Sequence, residues 1–230
     1  MQKRKGKALV WLRNDLRIKD QVSFYHATHK HETVIAFYSF DPLHYSDTGW
    51  GFKKTEALRA QFLLETLAQL QRDLKDHNIS LVVHHEEPSK GIQELIKVHA
   101  ITDLYWQKEW TQEEREREDE VHAVLSENIS VHTHYDQFLF HPEDVPVEIN
   151  QLPEVFTVFR KKCEKYSKVR SSFPAAAIMP ENNLLTKVAV LPSLDDLGLN
   201  TPIAHPHSAC LLYTSPSPRD RTRSRMPSSA

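Results

Sequence analysis

Residues 7–20 read KALVWLRNDLRIKD: five apolar residues, Ala8 to Leu12, run unbroken into Arg13, Asp15, Arg17 and Asp20. A strand covered on both faces reads as a continuous apolar run, and its polar groups gather where it ends. The stretch is therefore read as a buried parallel strand turning into a first helix, with a polar elbow at its carboxyl end. Arg and Asp at this spacing can pair with one another, and Asp20 has the side chain of an N-cap. The expected role of the four is to hold the elbow; contact with a charged cofactor is the other reading.

Outward from that elbow, residues 34–40 form a second apolar run, closed by Asp41-Pro42, where the proline disfavours helical geometry at Asp41. In residues 54–77, Leu63, Leu67, Leu70 and Leu74 recur at helical spacing with Leu58 and Phe62 beside them, which predicts one long helix with a single apolar stripe. Residues 79–83, 101–106 and 131–135 predict three more strands, with helices at 91–99 and 112–125 between them. Strands alternating with helices of this length imply right-handed crossovers and a doubly wound, five-stranded parallel α/β sheet of Rossmann-like type. Such sheets bind ligands at the carboxyl ends of their strands. Residues 7–140 are expected to form this domain, and 141–207 a helix and a proline-bounded linker.

The chain has 230 residues, 40% hydrophobic and 26% charged, enough for one medium α/β domain with additional segments. No apolar run approaches a membrane span, and MQKRKGK precedes too few apolar residues for a signal peptide, so no membrane association and a cytoplasmic location are expected. Residues 208–230 differ in character: CLLYTSPSPRD resembles the translation of a transposon-type sequencing-library adaptor, and the segment is read as a non-native tail. Residues 1–207 then carry 25 basic and 30 acidic side chains, against 29 and 31 for the whole chain. That mildly acidic balance does not by itself attract a phosphate backbone.

None of the five glycines stands in a G-x-G-x-x-G or P-loop arrangement, and G-x-S-x-G is absent. His132 and His134, and His84 and His85, invite a metal reading. Without Cys or carboxylates at zinc-type spacing they are read as packed or solvated histidines, and no metal is expected. Glu113 to Glu118 alternates charge at helical spacing and is read as an exposed, ion-paired face. The basic run Arg160-Lys161-Lys162 is read as a wet helix face, with a nucleic-acid contact as the other possibility. Cys163, in the same segment, has no histidine partner and is not expected to be reactive.

Taken together, VWLRNDLRIKD, GFKKTEALRAQFLLE (residues 51–65), YWQKEWTQEERERE (105–118), VFTVFRKK (155–162) and KVRSSFP (168–174) resemble the N-terminal domain of the photolyase/cryptochrome family, closest to its DASH cryptochrome branch. Gln21 stands where the family usually has asparagine, which bears on the local cap. The resemblance implies that the family's all-helical FAD domain, with its tryptophan chain and its pocket for a flipped pyrimidine dimer, is missing here. It implies a full-length, monomeric protein that holds FAD in that domain and a 5,10-methenyltetrahydrofolate antenna. It further implies use of blue light to split cyclobutane pyrimidine dimers in DNA, single strands preferred, by electron transfer from reduced flavin. The family's acidic residue after the fourth strand, which touches the folate ring, matches Glu109, with Lys108 as a weaker companion. A carboxylate can accept hydrogen bonds from pterin N–H groups; the competing reading places Glu109 in the first turn of an acidic helix, favouring its dipole. The alternatives in function are a blue-light sensor without repair and, more distantly, a nucleotide-binding domain of electron-transfer-flavoprotein or universal-stress type. The fragment itself is expected to be enzymatically silent.

Overall fold

The computed structural model describes residues 6–185 and 189–201. Its strands β1 (Lys7–Trp11), β2 (Thr33–Ser39), β3 (Ser80–His84), β4 (Asp103–Gln107) and β5 (Ser130–His134) form one sheet in the order β3-β2-β1-β4-β5. Every neighbouring pair is parallel. The expected doubly wound α/β sheet is the observed one.

The helices are α1 (Val22–Lys30), α2 (Ala57–Asp76), α3 (Pro88–His99), α4 (Gln112–Val124) and α5 (Phe156–Tyr166). The chain adds strands in one direction from β1 to β3, and α3 then returns it across to β4 on the other side of β1. Right-handed crossovers therefore place α1 and α2 on one face and α3 and α4 on the other. This is why β1 is apolar from Ala8 onward. Ala8, Val10 and Leu12 point into one core with Phe24, Leu67 and Leu74, while Leu9 and Trp11 point into the other with Ile92, Leu95 and Val121.

Two local expectations are corrected. Leu67, Leu70 and Leu74 are buried, but Leu58 is 65% and Phe62 71% exposed. At 100° per residue both lie on the far side of α2 from Leu67, and Ala60 takes the inward place in the first turn. The N-cap of α1 is Gln21, whose side chain accepts the Phe24 N–H at 2.6 Å. Asp20 sits at φ +50 and instead accepts the Phe173 N–H at 2.8 Å, tying the elbow to the later segment. A left-handed residue cannot present its side chain to the helix's first turn as an extended Ncap residue does.

Beyond α5, where only Cys163 is buried, the chain returns over the α1–α2 face. Ala176, Met179, Leu197 and Leu199 enter that core, and the Met179 N–H donates to His77 O at 2.9 Å. No described helix is long and apolar enough to cross a membrane. The adaptor-like residues 208–230 lie outside the described residues.

Candidate functional site

Where β1 ends, the backbone leaves the sheet between β2 and β4, at the point where strand order reverses. Arg13 goes down into the gap. Its guanidinium lies 3.4 Å from Glu109, pairs with Glu118 and donates to Glu114 O at 2.9 Å, all with little solvent contact. The Arg13 guanidinium also lies 4.8 Å over the Trp11 ring. The residues of the opening motif thus do not pair their charged groups with each other. Arg17 reaches Asp136 at 2.9 Å, and Asp15 is buried, accepting from the Arg13 N–H and from Gln21. Burial pushes the Asp15 carboxyl above its ordinary range against those hydrogen bonds.

Over this network opens a cleft of about 590 Å³ at the carboxyl ends of β1, β2 and β4, walled by Asn14, Tyr38, Ser39, Arg59, Phe62 and Glu109 among others. Glu109 is neither in α4 nor at its first turn: β4 stops at Gln107 and α4 starts at Gln112. The residue is 5% exposed, with Oε1 accepting from Asn14 Nδ2 at 2.8 Å and from the Asn14 N–H at 3.3 Å. Its own N–H donates to Glu118. Burial raises the Glu109 carboxyl above the usual range, with Arg13 and Asn14 opposing. A carboxylate offers about four acceptor directions. Asn14 and Arg13 occupy three, which leaves one. Arg59, at the mouth, has no ion-pair partner among the described residues.

Lys108 faces the other way, as its neighbour in an extended segment must. Its ammonium stands 5.3 Å from the Tyr135 ring, in a second cleft of about 540 Å³ that also holds His26, His134, Phe138 and Phe173. The fold thus separates the two residues. The acidic run of α4 is also not a purely solvated face: Glu118 is buried on Arg13, and Arg117 reaches Asp41 at 3.4 Å. Asn14, Glu118 and Asp136 carried no local signal, since each acts on a partner about a hundred residues away.

The histidines on β5 pack rather than project. His132 stacks on Tyr105 at 4.3 Å and bonds Asp103; His134 stacks on His26 at 5.3 Å, with its Nε2 buried and unpartnered. On β3, His84 Nδ1 is held by Glu86 at 2.6 Å, and Glu94 brings a third potential metal-binding atom within 4.8 Å. Burial, then His26, pushes His134 down to about 4. Its neutral form favours the fold above the unfolded value near 6.5, and that contribution is lost as pH falls toward 4. His134→Phe, which keeps the ring and removes the titration, should flatten the fall in urea midpoint between pH 6.5 and 4. Parallel pH profiles for both proteins would refute this.

Comparison with known proteins agrees with the fold. The family model described as DNA photolyase matches residues 8–180. Cryptochrome DASH of Gloeobacter violaceus is 37% identical over 196 residues, covering 85% of this chain and 39% of that protein. The Danio rerio cryptochrome DASH is 34% identical over 204 residues, with 86% and 39% covered. The crystal structure of a Synechocystis cryptochrome superposes with a TM-score of 0.74 at 29% identity, over 85% of this chain and 41% of that one. The chain thus spans about two fifths of the length of the relatives it matches. With the family model, the curated relatives and the superposed structure in agreement, the chain belongs to the photolyase/cryptochrome family, in its cryptochrome DASH branch.

Proposed function

We propose that this domain is the antenna side of a cryptochrome DASH whose full-length protein binds FAD, gathers blue light through a folate, and splits cyclobutane pyrimidine dimers in single-stranded DNA. The observation that carries the antenna assignment is the switch-point cleft with a buried carboxylate in its wall. Its volume, about 590 Å³, lies in the range of small-molecule sites. The remaining acceptor direction of Glu109 suits an amino or ring N–H of 5,10-methenyltetrahydrofolate, and Arg59 suits an anionic tail. The folate, when bound, supplies absorption and energy transfer. The chain's own residues orient it, with Arg13 and Asn14 fixing the Glu109 carboxylate. Lys108 opens on the second cleft, so its geometry does not support the same contact. FAD is assigned to the part of the relatives' length that this chain does not span.

Titration of the 230-residue chain with 5,10-methenyltetrahydrofolate, followed by folate absorbance and fluorescence anisotropy, tests the assignment. Glu109→Gln replaces one acceptor oxygen with a donor and should weaken binding about tenfold, the equivalent of about 1.4 kcal/mol. No binding by the wild type, or equal binding by the variant, would refute the role of Glu109. Repair of a dimer-containing oligonucleotide by the full-length protein under blue light separates the repair reading from a pure light sensor.

A further inference from the structure

The chain is acidic, yet its charge is not evenly spread. Residues 156–170 hold six basic side chains and one acidic, while the rest of 1–207 holds 19 basic and 29 acidic. All six are exposed on α5 and the segment after it. Only Cys163 anchors the helix, and Lys161 and Lys165 lie about 160° around from it, with Lys162 between them and the flank. Arg160 is engaged by Glu164 at 3.1 Å and Arg170 by Asp144 at 2.6 Å. Lys161, Lys162, Lys165 and Lys168 have no carboxylate partner among the described residues. Beside them stands an open aromatic ring: Tyr166 is 62% exposed, and Lys165 lies 5.0 Å from its ring.

A row of unpaired ammonium groups alone would suit any polyanion. A ring set among the cations narrows the choice, because a base with an open π-face can stack on it, and bases in a duplex are already stacked. We propose that the outer face of α5 docks single-stranded DNA through its phosphates and bases, independently of any lesion. The choice of DNA rests on the family reading above. The contact itself needs neither flavin nor light, so it stands or fails separately from repair.

The test is anisotropy of a labelled, undamaged thirty-base oligothymidylate titrated in the dark with the full 230-residue chain at several salt concentrations. Lys161→Gln/Lys162→Gln/Lys165→Gln should weaken binding at least about tenfold at low salt and flatten the log–log salt slope by about two, at roughly 0.7 per phosphate contact. Tyr166→Ala should weaken single-strand binding about tenfold while changing duplex binding little. Unchanged thermal melting of both variants establishes that the exposed changes leave the fold intact. Because the tail also carries Arg219, Arg221, Arg223 and Arg225, a chain with those four changed to Gln is measured as well and should retain binding. Binding that follows the tail arginines, survives the triple lysine change, or is equal for single strand and duplex overturns the proposal.

Discussion

Arg13→Ala is expected to destabilise the domain by about 3–5 kcal/mol, the range for removing one partner of a buried ion pair. The guanidinium lies between the Glu109 and Glu118 carboxylates and also holds Glu114 O, so its loss leaves two acidic groups facing each other in a space with little water. Burial already raises the Glu109 carboxyl. Without the cation it should rise further, so the variant recovers stability in acid and loses it as pH climbs through the raised value. This is the sign for a carboxyl whose folded-state proton affinity exceeds the unfolded one. Arg13→Lys keeps a charge but not the fork that spans two carboxylates and a carbonyl, and should fall between. Adding Glu109→Gln and Glu118→Gln to Arg13→Ala should restore part of the loss, since the repulsion goes with the charges. Urea unfolding at pH 5 and pH 8 decides it: a loss below about 1 kcal/mol, independent of pH, would mean that the network is peripheral.

The strands were legible because both faces of each central one are apolar, and the order of strands and helices then leaves few topologies. The long-range polar network was not. Arg13 and Glu118 are 105 residues apart and join only after the sheet has placed β1 beside β4. In sequence, Glu118 is one acid among many in α4, and nothing local marks it as the one turned inward. Asp20 and Gln21 failed for a smaller reason. Either side chain could serve as a cap, and the choice depends on Asp20 taking a left-handed backbone so that its carboxylate can receive the Phe173 N–H. The placement of Glu109 was half legible: the resemblance picked the residue as a candidate, while its burial and its three existing contacts with Asn14 and Arg13 came only with the fold.

Asn183 carried no signal in the sequence, yet its replacement by alanine should cost on the order of 3 kcal/mol. It lies 3% exposed in the segment that returns over the sheet. Its Oδ1 accepts the Val34 N–H at 2.9 Å, and its Nδ2 donates to Val34 O at 3.0 Å and Asn78 O at 2.6 Å. A side-chain amide here does the work of a neighbouring strand at the start of β2, where the ladder to β3 has yet to begin. Alanine leaves a buried N–H without its acceptor, at about 1–3 kcal/mol, and removes a donor from two carbonyls at about 1 kcal/mol each. For a domain of this size that is a melting shift of roughly 6–12 °C. Asn183→Asp separates this account from simple loss of packing. The carboxylate can still receive the Val34 N–H but faces two carbonyl oxygens with no hydrogen to offer, so at pH 7 it should be worse than alanine. Protonation supplies an O–H donor, and its stability should rise as pH falls toward 5. If alanine costs less than about 1 kcal/mol and aspartate shows no such recovery, the amide is a bystander and the returning segment is held by Met179, Leu197 and Leu199 alone.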